Sequence, residues 1–189
     1  MTAAVQWDMP APGEWTTDDL DALPDDGRRR ELIDGVVTVS PSPTAGHQRL
    51  AMLLGAALDA GCPPDLSVTQ AVDIRIAHDR SLSPDVLVAT ATATSRDPSF
   101  YLPRDARLVI EIVSRGSRVM DRITKPALYA QAGIPCFWRI ETEDRLRVVT
   151  FRLDDGADVY TPTGEFADEL EVDEPFPISL DIARLAGRR

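Results

Sequence analysis

The sequence predicts an α/β (α+β) fold, a mixed β-sheet flanked by helices. Three observations lead there. Residues 47–61 and 124–133 read as helices, the first with Leu50, Leu53, Leu54, Ala57 and Leu58 at helical spacing. Residues 107–114, "RLVIEIVS", form a nearly continuous β-branched run, the pattern of a central strand buried on both faces. Shorter strand-like runs precede and follow these segments, an order that suits one mixed sheet with helices packed against it. The chain contains neither GxGxxG nor GxxxxGK[ST], which argues against a doubly wound dinucleotide fold.

The elements follow in chain order. Residues 1–15 are rich in Pro, Gly and Ala and read as a loose arm, with residues 16–189 forming a single domain. "TTDDLDALP" (16–24) has an N-cap threonine, early acids and a closing proline, so it predicts a short helix. Two extended runs flank Asp34-Gly35, a two-residue hairpin signal. "SPSPT" is a loop, and the helix of 47–61 stops at Gly61. Residues 66–78 alternate apolar and polar side chains and predict one strand, which "DRS" turns into a second, "PDVLVAT". Residues 90–106 predict a loop. In the helix of 124–133, Pro126 is tolerated in the first turn and Gly133 caps the end. "PCFWRIE", "LRVVTFRL" and "ADVYT" predict further strands, and "FPISLDIARLAGRR" a short helix with a frayed tail.

The chain has 189 residues, 43% of them apolar, enough to bury a core. No apolar run approaches the ~20 residues of a membrane helix, and the N-terminus lacks the basic and apolar regions of a signal peptide, so a cytoplasmic location without membrane association is expected. Cys62 and Cys136, with two histidines, cannot build a structural zinc site and predict two buried, reduced thiols. The net charge of −11 argues against a protein that merely coats nucleic acid. "GRRR" (27–30) and "RGSRVMDR" (115–122) could still form a local basic face, or be ordinary solvated surface. Of the 20 cationic side chains only Lys125 is a lysine.

Asp85 opens an apolar strand and Glu111 sits inside another. A buried carboxylate is costly unless it is paired, hydrogen-bonded or bound to metal. The plainer reading is a strand-end acid that reaches solvent or pairs with an arginine. Glu31, in the hairpin, is a third candidate or a surface acid paired with a neighbouring arginine. His47 could bind a phosphate or act as a base, or simply lie at an exposed helix start.

"SPDVLV", "RLVIEIVS" and "DRITKPALYAQAGIPCFWRIE", in this order, resemble the bacterial Uma-two family of restriction endonucleases, part of the PD-(D/E)XK nuclease superfamily. "RRRELIDGVVTVSPSPTAGHQRLAMLL" resembles that family's N-terminal part, so the likeness spans roughly residues 28–141. The resemblance implies a restriction-endonuclease-like core, with Asp85 and Glu111 as metal ligands. The plain motif has a lysine two residues after the second acid, where this chain has Val113. In the family's own version the lysine has moved to the following helix, which makes it Lys125. Glu31 would complete the catalytic site, with His47 and Asp121 in supporting positions.

The implied activity is metal-dependent hydrolysis of DNA phosphodiester bonds. Chemistry agrees: two carboxylates can hold a hard cation such as Mg²⁺, with Mn²⁺ as substitute, which supplies Lewis acidity and activates water. Lysine can steady phosphate charge in a space too small for a guanidinium. A homodimer would allow both strands to be cut. A nuclease-fold binding module without catalysis and a hydrolase of other phosphoesters are the alternatives.

Overall fold

The computed structural model describes residues 9–186. Thirteen strands and five helices are formed among the described residues. Helix α1 (Thr17–Ala22) starts where expected. Thr16 accepts from the Asp19 N–H while the Asp19 carboxylate accepts from the Thr16 N–H, a reciprocal cap. Strands β1 (Arg30–Ile33) and β2 (Val36–Val39) form the expected hairpin. Asp34 and Gly35 both have positive φ, 50° and 70°, the conformation of a type I′ turn. Gly35 is required twice, since a Cβ there would lie 2.4 Å from the Gly13 carbonyl oxygen. Of the arm read at 1–15, residues 1–8 lie outside the described residues. Gly13 and Trp15 donate to the Gly35 carbonyl, and Trp15 is buried.

Helix α2 (Ala45–Gly61) buries Leu50, Leu54 and Leu58. The single strand expected over 66–78 is two, β3 (Leu66–Thr69) and β4 (Asp73–Ala77). Ala71 takes a left-handed φ of 52° between them, and the two strands enter different sheets. No Gly or Pro punctuates the break, so the alternation reads straight through it. Strands β5 (Arg80–Leu82) and β6 (Val86–Thr90) follow. The stretch 90–106 is more than a loop: it holds helix α3 (Ala91–Thr94), strand β7 (Phe100–Tyr101) and a 3₁₀ turn at Pro103–Asp105. These pieces are too short to show periodicity.

Strand β8 (Ala106–Ile112) runs into a π-helical turn, Met120–Thr124, and then helix α4 (Lys125–Gln131). Strands β9 (Cys136–Glu141) and β10 (Arg147–Arg152) match expectation. The strand expected at 157–161 begins only at Thr161, as β11 (Thr161–Phe166). Pro162 and Gly164 disguise it, and a sheet edge tolerates them. Residues 178–181, expected to be helical, form β13 (Ile178–Asp181), paired with β12 (Glu169–Val172). Ile178 and Leu180 alternate inward, a strand period. Helix α5 (Ile182–Leu185) ends the described chain, and the tail at 187–189 lies outside it.

The expected single sheet is three. Their orders are β2-β1-β5-β4-β7, β11-β10-β9-β8-β6-β3 and β12-β13. Pairing is antiparallel except at β4–β7 and β8–β9, so the fold is mixed, with helices on its flanks. Strand β8 shows why one run can be apolar throughout. Leu108, Ile110 and Ile112 pack into a core with α2 and α5, while Val109 packs into a second core with α4 and the first sheet. Glu111 shares the Val109 face by alternation. The thiols differ from expectation in one respect: Cys136 is buried, Cys62 is only half-buried, and both are free.

Candidate active site

The antiparallel register that pairs Val86 with Ile110 brings Asp85 alongside Glu111 at one end of the central sheet. The Asp85 N–H donates to the Ile110 carbonyl at 3.1 Å, and the Ile112 N–H donates to Asp85 Oδ2 at 2.8 Å. Strand β1 of the other sheet delivers Glu31, whose Oε1 accepts from the Ser83 N–H at 3.0 Å. The β8–α4 crossover delivers Asp121 and Lys125. Pro126 lacks the N–H that an α-ladder would aim at the Arg122 carbonyl, and the chain ahead of it widens into the π-helical turn. That turn presents Asp121 and Lys125 to the same interior, 3.9 Å apart.

Lys125 is 4% exposed, and Glu111 and Glu31 only 1% and 3%. Lys125 Nζ lies 2.7 Å from Glu31 Oε1 and 3.2 Å from each Glu111 oxygen. The Tyr129 hydroxyl donates to Glu111 Oε1 at 2.7 Å. Asp85 is held separately: Arg29 Nη1 is 2.9 Å and His47 Nε2 3.1 Å from its Oδ1. The lone lysine therefore bridges Glu31 and Glu111, while arginine and histidine serve Asp85. All six residues singled out in the sequence come into this one neighbourhood.

Titration behaviour follows from these contacts. Burial pushes Glu111 up to about 8. Lys125 opposes that, and the charges of Asp85, Asp121 and Glu31 reinforce it. Asp85 goes the other way, to about 2: burial would raise it, but the His47 hydrogen bond, Arg29 and the Ile112 N–H outweigh that. Burial favours a neutral amine at Lys125, yet the carboxylates of Glu111 and Glu31 prevail and hold its pKa above the ordinary lysine value. Lys125 is thus a fixed cation here. Burial also raises Asp121, against the pull of Lys125.

Three participants carried no signal in the sequence. Arg29 was one arginine in a run of three, Tyr129 one aromatic on an amphipathic helix, and Asp73 one polar position in an alternating strand. Asp73 accepts from Ser81 Oγ at 3.4 Å, and burial raises its pKa, with the Glu31 charge reinforcing the rise and a Ser83 hydrogen bond opposing it. Two Arg29 donors, Nε and Nη2, are buried with no hydrogen-bond partner among the described residues.

Four buried carboxylates, Glu31, Asp85, Glu111 and Asp121, face two fixed cations, Lys125 and Arg29. The all-oxygen donor set suits a hard divalent cation. No three His, Cys, Asp or Glu side chains among the described residues already converge as a ligand group. Protein donors engage the Asp85 and Glu111 oxygens instead.

The arginine runs are largely neutralised. Arg28 and Arg30 pair with Asp26, Arg118 with Glu143, and Arg122 with Glu141. No helix among the described residues is long and apolar enough to cross a membrane.

A sheet end lined by buried acids around one lysine is the candidate active site. The family model described as "Putative restriction endonuclease", Uma2, matches residues 17–184, and the chain belongs to that family. Among solved structures, the chain is similar to a "putative nuclease belonging to DUF820" from Anabaena variabilis ATCC 29413. The TM-score is 0.72 at 18% identity, over 90% of this chain and 97% of that one. At that identity the likeness concerns the fold. No curated protein matches the chain.

Proposed function

We propose that this chain is a metal-dependent endonuclease that hydrolyses DNA phosphodiester bonds. Family membership over residues 17–184 supports the nuclease class. The carrying observation is the cluster of buried carboxylates gathered on the chain's one lysine. Asp85 and Glu111 would hold Mg²⁺, or Mn²⁺ in its place, with Glu31 beside them. The bound cation would supply Lewis acidity toward phosphate and water. Lys125, kept protonated by Glu111 and Glu31, stabilises negative charge on the phosphate in a nearly water-free site. His47, beside Asp85 and half-exposed, is within reach of a proton on an incoming or leaving oxygen. Asp121 holds the far side of the ammonium. Cleavage of both strands would call for two sites, supplied by a homodimer.

Purified protein with supercoiled plasmid and Mg²⁺ or Mn²⁺ tests this. Nicking is expected, and Asp85→Asn and Lys125→Met should each abolish it. Nicking that persists unchanged in both variants overturns the assignment.

A second reading, a non-catalytic nuclease-fold module, draws on the protein donors that already engage Asp85 and Glu111. Calorimetry with Mg²⁺ and Mn²⁺ separates the two. Heat of binding that disappears in Asp85→Asn supports the enzyme, and none at millimolar metal supports the module.

A further inference from the structure

A cleft of about 870 Å³ adjoins the site on its α2 side. His47 and Ile112 line it, and both contact Asp85, so one end of the cleft abuts the carboxylate cluster. Three exposed arginines reach it from three separate elements: Arg49 from the first turns of α2, Arg115 from the segment after β8, and Arg145 from the β9–β10 turn. None of the three forms an ion pair among the described residues. That contrasts with Arg30, Arg118, Arg122 and Arg147 nearby, each held by an acid. Asp144 is the one acid in the lining. A chain of net charge −11 therefore carries a locally positive cleft. The N-terminus of α2 opens on the same space with no acid in its first turn, so the helix dipole adds to the positive field.

Between these charges the lining is apolar: Leu146 is half-buried, and the buried Leu50, Val113 and Leu185 form the floor beneath it. Aliphatic side chains offer a phosphodiester backbone nothing, but they can cover the faces of bases. In a duplex those faces are already covered by stacking. An unpaired strand satisfies both features at once, with phosphates on the arginines and an uncovered base face against Leu146.

We propose that this cleft is the binding track for an unpaired nucleic-acid strand, held through its phosphates by Arg49, Arg115 and Arg145 and leading to Asp85. The proposal rests on the nuclease reading for its direction and adds the form of the substrate. The enzyme would engage single-stranded or locally opened nucleic acid in preference to intact duplex.

The test is fluorescence-anisotropy binding in EDTA, where no cleavage occurs, with the full chain. The probes are a labelled deoxyoligonucleotide, its duplex, and the matching oligoribonucleotide, over a range of salt. Wild type should bind the deoxy single strand about tenfold tighter than the duplex. The combined variant Arg49→Gln, Arg115→Gln, Arg145→Gln should lose about 2 from the slope of log affinity against log salt, roughly 0.7 per phosphate contact. All three positions are exposed, so circular dichroism should show an unchanged fold. An unchanged slope overturns the proposal, and so does duplex binding as tight as single-strand binding. Comparison of the deoxy and ribo probes assigns the sugar. If plasmid nicking depends on Asp85 while the slope is unaffected, the nuclease reading stands and the track falls. If the slope is lost but no nicking occurs under any metal, the track stands and the reading falls.

Discussion

Replacing Lys125 with Met tests the electrostatic logic of the site independently of catalysis. The ammonium is 2.7 Å from Glu31 and 3.2 Å from Glu111, and all three groups are almost fully buried. Methionine keeps most of the apolar stem and removes only the charge. Removing one partner of a buried ion pair costs about 3–5 kcal/mol, because the remaining charge is left uncompensated. Total stability for a domain is roughly 5–15 kcal/mol, so the variant should still fold. The loss should depend on pH. Glu111 already holds its proton up to about pH 8 and, without Lys125, would hold it higher still. In acid Glu111 is already neutral, so the lysine has one less charge to compensate and matters less. Urea titrations in EDTA should therefore show a loss of about 3–5 kcal/mol at pH 8.5 and a smaller loss at pH 5. A loss of equal size at both values, or one below about 1 kcal/mol at pH 8.5, would refute the reasoning.

Other outcomes follow from the same geometry. Because the folded Glu111 value of about 8 lies above the ordinary 4.5, its contribution is fully present below pH 4.5 and lost as pH rises through 8. Glu111→Gln should flatten the decline of wild-type stability between about pH 4.5 and 8, as read by urea midpoints. Asp85, held at about 2, has the opposite sign. Its contribution is present above the ordinary 3.8 and lost as pH falls toward 2, so Asp85→Asn should reduce the acid sensitivity of unfolding. Tyr129→Phe removes the hydrogen bond to Glu111 Oε1 and should cost about 1–3 kcal/mol by chemical denaturation. Gly35→Ala meets both a φ of 70° and the Gly13 carbonyl, and should lower stability by about 1–3 kcal/mol in the same assay.

Local signals carried much of the architecture. The Asp34-Gly35 turn, the leucine face of α2 and the doubly buried β8 each follow from short-range sterics and burial period. Such features are readable because neighbouring residues determine them. The break at Ala71 was hidden because two extended segments with a one-residue left-handed kink preserve alternation. Strand β13 was misread because four residues leading into a helix give too little period to separate the two.

The site divides in the same way. An acid inside "LVIEIV" and a single lysine in an arginine-rich chain are anomalies visible in one dimension, since burial and composition make them costly or rare. Their partners are matters of distance in space. Asp85 meets Arg29, 56 residues away, and Lys125 meets Glu31 from the other sheet rather than Asp85. Tyr129 is an ordinary core aromatic until its hydroxyl is found on Glu111. The sequence by itself determined that a few charged groups would be buried. The tertiary structure decided which cation neutralises which carboxylate, because electrostatic pairing depends on separations of a few ångströms that only the packed sheets and helices set.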